Sequence, residues 1–151
     1  MRKKDETYMQ EALRQARYAF DEDEVPVGAV VVYNDRIIVR SYNQVEKLKD
    51  PTAHAEMIAI TQAASFLKSK WLKKCSLYVT IEPCSMCAGA LVLSRLDKVV
   101  FGAADAKTGA FGSKTDINNL KLNHQLKVKK GVLAEDCAEI VKEFFKKKRK
   151  K

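Results

Sequence analysis

A chain of 151 residues is long enough to bury a core as one domain without disulfide staples. With 46% hydrophobic and 31% charged residues it reads as a globular protein, and no apolar run approaches the ~20 residues that span a bilayer. The net charge of +9 admits two readings: a polyanion such as nucleic acid as partner, or merely a Lys-rich solvated surface.

Met1-Arg2-Lys3-Lys4-Asp5-Glu6 has charge but no apolar stretch behind it, so no signal peptide is expected. Four cysteines without such a signal point to a reducing compartment, hence an expected cytoplasmic location. Met9, Ala12, Leu13, Ala16 and Phe20 recur at three- and four-residue steps and predict an amphipathic helix over 5–20. The acidic run Asp21-Glu22-Asp23-Glu24 and then Pro26 end it. Residues 27–33 are β-branched and apolar, Asn34-Asp35 is a turn signal, and Ile37-Ile38-Val39 follows, which predicts a hairpin.

Residues 44–50 read as loop. Asp50-Pro51-Thr52 is a helix-start signal for a helix over 53–67, with His54 and Glu56 at its N-terminus. Residues 77–81 form a buried strand that runs into a helix over 84–94, where Cys84 and Cys87 share one face. A strand over 97–101, a loop over 102–116 and an edge strand over 126–132 follow, with 117–125 read as loop holding one helical turn. The last helix is expected over 134–147, and the basic run 146–151 as a mobile tail. The order α-β-β-α-β-α-β-β-α predicts a single α/β domain over 1–151, one sheet covered by helices on both faces.

Two stretches carry the chemistry. His54-Ala55-Glu56 offers an imidazole and a carboxylate, and Pro83-Cys84-Ser85-Met86-Cys87 offers two thiols at metal-sharing spacing. Either alone is weak, and a lone Cys-x-x-Cys is equally a redox motif, but a thioredoxin-like site needs no His-x-Glu partner. Together they give three zinc donors and one spare carboxylate. A catalytic zinc wants that set, with three protein ligands and a fourth position open to water, whereas a structural zinc wants four closing ligands. At helix N-termini the thiols are also favoured as thiolates. The reading is zinc-assisted hydrolysis, most simply a deamination.

The His-x-Glu and Pro-Cys-x-x-Cys pair is the signature of zinc deaminases that act on bases. Beyond it, 24–30, 50–56, 77–90, 99–102, 105–110 and Phe144-Phe145 resemble the bacterial tRNA-specific adenosine deaminases of the cytidine/deoxycytidylate deaminase superfamily. The resemblance covers nearly the whole chain. It implies a three-layer α/β/α cytidine-deaminase-like fold with a central mixed five-stranded sheet. It also implies conversion of the wobble adenosine of an arginine tRNA to inosine, one zinc per chain, and a homodimer. Two departures stand out. Ser41-Tyr42 occupies the place of a Gly and often a Trp, and Ala104 replaces an arginine, which puts one RNA contact in doubt.

On this reading His54, Cys84 and Cys87 bind zinc, and a water whose pKa the metal lowers completes the site. Glu56 is the general acid–base: it takes that water's proton, protonates a ring nitrogen of adenine and helps ammonia leave. Two thiolates and a neutral imidazole leave the metal without net positive charge, which makes such a base essential. The resemblance further implies substrate contacts from Val27, Asn43 and Ala55, and from Asp105, Lys107, Phe145 and Arg149. Asn43 is equally an ordinary turn residue, and Asp105 and Lys107 equally solvated charges. Of Phe144 and Phe145, one is expected in the core. Cys75 and Cys137 read as buried small hydrophobes, Trp71 as packing and His124 as a loop histidine. Two rivals stay open: a guanine or cytosine deaminase on the same scaffold, and a non-catalytic RNA-binding protein with a structural zinc.

Overall fold

A computed structural model describes residues 2–150, with the backbone alone for Arg2. Met1, at the head of the segment read for a signal peptide, and Lys151, at the end of the basic run, lie outside the described residues. The elements are α1 (Arg2–Asp21), β1 (Gly28–Tyr33), β2 (Arg36–Tyr42), α2 (Val45–Leu48), α3 (Ala55–Leu67), β3 (Cys75–Ile81), α4 (Ser85–Leu93), β4 (Lys98–Ala103), a 3₁₀ turn (Ile117–Leu120), β5 (Lys127–Lys130) and α5 (Ala134–Arg149).

The five strands form one mixed sheet in the order β2-β1-β3-β4-β5. β1 runs antiparallel to β2 and β3, while β3, β4 and β5 are parallel. Asn34 and Asp35 turn the β1–β2 hairpin with φ of 52° and 60°, the left-handed pair that matches strand twist. Alternation along the strands sorts side chains between two cores. Ala29, Val31, Leu77, Val79, Val99 and Phe101 meet α3 and α4 through Ala59, Ala63, Ala88 and Leu91. Val30, Val32, Tyr78 and Val100 meet Met9 and Ala12 of α1 and Cys137 of α5. The three-layer arrangement expected from the sequence is the one observed. Each fully buried Val, Leu or Phe contributes roughly 1.5–3 kcal/mol of transfer free energy.

α1 lies so close to β1 that a Cβ on Gly28 would stand 2.0 Å from the carbonyl oxygen of Ala12, so only glycine fits. Asp5 of α1 is buried among these apolar groups. It is satisfied by the Tyr78 hydroxyl at 2.5 Å and by the Lys129 ammonium, which tie α1 to β3 and β5. Cys75 and Cys137 are both buried, as expected.

Three local readings differ. Residues 44–50 hold the short helix α2, because the distant Glu24 carboxylate accepts the Glu46 and Lys47 amides at 3.0 and 2.8 Å. Trp71, expected in packing, is 40% exposed, with the Lys70 and Lys73 ammoniums 4.8 and 5.0 Å from its ring centroid. The basic run expected as a tail is instead the last turn of α5 through Arg149, where cations favour the helix C-terminus. Lys148 there pairs with Asp23 at 2.6 Å.

Candidate active site

The two chemical motifs meet because each begins a helix on the same face of the sheet. His54 is the N-cap residue of α3 and Cys84 that of α4, with Glu56 and Cys87 in the first turns. The imidazole Nδ1 of His54 lies 3.4 Å from Cys87 Sγ and 3.7 Å from Cys84 Sγ, and all three donors lie within 4.8 Å of one another. Both thiols are free. Tetrahedral zinc, with its Zn–S and Zn–N bond lengths, sets N···S separations at about 3.5 Å. The donor set therefore fits that ion in kind and spacing.

Electrostatics divides the two thiols. A hydrogen bond from Cys87 brings the Cys84 thiol down to about 4, burial opposing and His54 assisting. Cys87, holding the proton next to that thiolate, is pushed up by Cys84 and by burial. His54 is raised by its hydrogen bond to Cys84. Glu56 is fully desolvated, and that burial pushes its carboxyl up to about 7, where a proton can be both taken and given near neutrality.

α3 is held in place by strand β2. Asn43 Oδ1 accepts the Ala55 amide at 2.7 Å, and Ser41 Oγ donates to the Ala55 carbonyl at 2.7 Å. Ser41, a departure from the family pattern, is therefore in use here. Ala55 itself is wholly buried, with its amide and carbonyl bonded to Asn43 and Ser41. Asn43 keeps its amide NH₂ for the cavity.

That cavity, about 930 Å³, is walled by Val27, Asn43, His54, Glu56, Cys84, Asp105 and Phe145, among others. Cys87 lies behind the wall, fully buried. Lys107 and Arg149 are not in it. With Lys142, Phe145 and Lys148 they line an adjoining hollow of about 520 Å³, so Phe145 and Lys148 border both. Phe144 is 4% exposed and meets Phe20 edge-on at 5.9 Å, whereas Phe145 is 43% exposed, which resolves the expected division of the pair.

Sequence reasoning missed Glu82 and Glu24, two buried carboxylates without a side-chain cation partner among the described residues. Glu82 accepts the amides of Asp105, Phe111 and Ser113 at 3.1, 2.9 and 3.1 Å, and the Ser113 hydroxyl. The available signal was an acidic residue between a strand predicted to be buried and a metal-binding motif. Asp105, expected to face substrate, also accepts the Lys107 and Thr108 amides at 3.0 and 3.2 Å.

A mixed sheet between helix layers, with this donor cluster at two helix starts, defines a deaminase domain, and the family model for MafB19-like deaminases matches residues 3–149. The chain is 50% identical over 145 residues to the tRNA-specific adenosine deaminase of Aquifex aeolicus (strain VF5), covering 95% of each chain. It is 47% identical over 148 residues to that of Bacillus subtilis (strain 168), covering 97% of this chain and 92% of the relative. A solved structure from a study of A-to-I editing by tRNA:A34 deaminases at the wobble position superposes with a TM-score of 0.82. It is 39% identical, with 89% of this chain and 98% of the other covered. The chain belongs to the family of tRNA-specific adenosine deaminases.

Proposed function

We propose that the protein hydrolyses the wobble adenosine of a tRNA anticodon, that of an arginine tRNA, to inosine and ammonia, using one zinc ion per chain. The observation that carries the reading is the His54–Cys84–Cys87 cluster beside the buried Glu56 on the wall of a cavity. Similarity to tRNA deaminases along nearly the whole chain supports it. His54, Cys84 and Cys87 would hold the zinc, which supplies a Lewis acid that makes water nucleophilic near neutral pH.

The chain's own groups do the rest. Glu56 accepts a proton from the attacking water and passes it to a ring nitrogen of adenine; it then takes the remaining proton of the hydroxyl added at C6 and gives it to the amino group, which leaves as ammonia. Asn43 presents its amide NH₂ to an acceptor of the purine, and Val27 gives an apolar wall. A stacked base cannot bring C6 to this chemistry, so the base enters splayed from its loop. An anticodon loop exposes its first base at low unstacking cost. Phe145 then borders a flanking base, and Lys107, Lys142 and Arg149 neutralise phosphates in the adjoining hollow. The reading carries with it a cytoplasmic homodimer. No helix among the described residues is long and apolar enough to cross a membrane.

Incubation with total bacterial tRNA followed by sequencing tests the proposal, and new inosines at anticodon first positions are expected. Turnover of free guanine or cytosine without tRNA editing would transfer the protein to small-molecule chemistry. RNA binding without ammonia release would make it a binding protein.

A further inference from the structure

We propose that Glu82 is a positioning residue: its carboxylate locks the turn that carries Asp105, Lys107 and Thr108 to the strand end that delivers Cys84. It thereby sets where the nucleotides beside the target base are held. What the turn meets rests on the RNA deaminase reading above; the lock itself does not.

Glu82 is 2% exposed, and no lysine or arginine pairs with it among the described residues. A buried carboxylate without a cation has to be satisfied by dipoles. Here its two oxygens divide the work. Oε2 accepts from the Phe111 and Ser113 amides, and Oε1 from the Asp105 amide and the Ser113 hydroxyl. Only an ionised carboxylate is acceptor-only on both oxygens, so neither an amide nor an apolar residue can collect this set.

From Glu82 the constraint passes outward. Asp105, held by its amide, accepts the Lys107 and Thr108 amides and, at 2.8 Å, the Thr108 hydroxyl. Gly109 donates to the Asp105 carbonyl at 2.8 Å and lies so near Glu82 that a Cβ would stand 2.3 Å from its Cδ. The Ala110 amide donates to the Pro83 carbonyl at 2.9 Å, and Gly109 bridges to Cys84. One carboxylate therefore registers the turn against the residue next to it in the metal motif. Asp105 and Thr108 face the main cavity and Lys107 the basic hollow.

Glu82→Gln tests this. With its carbonyl at the Oε2 place it keeps the Phe111 and Ser113 amides, the Ser113 hydroxyl can rotate to accept, and the Asp105 amide faces an NH₂ instead of an acceptor. Amide hydrogen exchange at 105–109 should accelerate about tenfold or more, and KM for an anticodon stem-loop RNA should rise by about the same factor. Zinc content should be unchanged, and kcat should stay within about threefold, since the groups at the reacting atom are untouched. Ser113→Ala should move both readouts the same way by less, and it decides the matter if Glu82→Gln does not fold. Unchanged exchange overturns the proposal. So does faster exchange with unchanged KM, which would leave Glu82 a stability anchor, and so does loss of zinc with kcat at constant KM. If the unaltered protein makes no inosine in this RNA, the function reading fails, while exchange still decides whether Glu82 holds the turn.

Discussion

The side-chain oxygen of Asn43 accepts the backbone amide of Ala55 at 2.7 Å, so the residue that follows β2 also fixes the first turn of the helix bearing Glu56. One end of this side chain organises the protein and the other faces the cavity. The two roles separate by substitution. Asn43→Ala leaves a buried amide unpaired, at a cost of ~1–3 kcal/mol, and should lower Tm by several degrees while abolishing most activity. Asn43→Asp keeps the acceptor, well placed at a helix N-terminus, but has no NH₂ to donate. It should melt close to the parent and still bind substrate poorly. Equal destabilisation by the two would refute the division.

Glu56→Ala should retain zinc and still bind tRNA while losing turnover by about 10⁴-fold, the upper end for a general acid–base group, because one carboxyl serves several proton transfers. Single-turnover assays on an anticodon stem-loop decide it. A variant within tenfold of the parent would remove Glu56 from that role.

Cys84→Ala and Cys87→Ser should each lower the zinc content of the purified protein from about one per chain, since a three-ligand site has no spare donor. Elemental analysis showing undiminished zinc in a folded variant would sink the ligand assignment.

How far these assignments could be read from the sequence depended on distance along the chain. Periodicity placed α1, α3, α4 and the strands, because a helix stripe such as Met9, Ala12 and Ala16 is a local property. The donor set was legible because His54, Cys84 and Cys87 are chemically distinctive at fixed spacings. What escaped were interactions in which one partner has no local signature. Glu24 creates α2 from more than twenty residues away, and Glu82 reaches across to Ser113. The α5 terminus escaped for a related reason: a run of lysines reads as a solvated tail until Asp23 is seen beside Lys148.

Lys107, Lys142 and Arg149 line one hollow but contact no acidic side chain among the described residues, so their charge is available to phosphate. Replacing all three with alanine should weaken binding of an anticodon stem-loop and flatten its log–log salt dependence by about 2, at roughly −0.7 per lost single-strand contact. The rate at saturating RNA should barely change. Superimposable salt plots for parent and variant would show that other cations hold the RNA.

Asp5 supplies a pH signature of the fold. Burial works against its charge, but the Lys129 and Tyr78 hydrogen bonds outweigh burial and hold its pKa below 3.8. A carboxyl lowered in the folded state contributes stability above its unfolded pKa, and that contribution fades as pH falls through the folded value. Asp5→Asn should therefore unfold at lower urea than the parent near pH 6, with the gap narrowing below pH 3.8. A gap that widened in acid would contradict the assignment.

The Asp5–Lys129 and Lys148–Asp23 pairs close over 124 and 125 residues of chain, and they join the face on which α1 and α5 lie together. On the ribosome α1 emerges long before either of those lysines, a delay on the order of ten seconds at about 5–20 residues per second. Until then β1 covers only part of the inward side of α1, and the rest waits for β4, β5 and α5. That side is Met9 with Ala12, Ala16 and Ala19, flanked by the partly buried Tyr8 and Leu13. Because its fully buried positions are mostly single methyl groups, what stays uncovered on the nascent helix is a small apolar area.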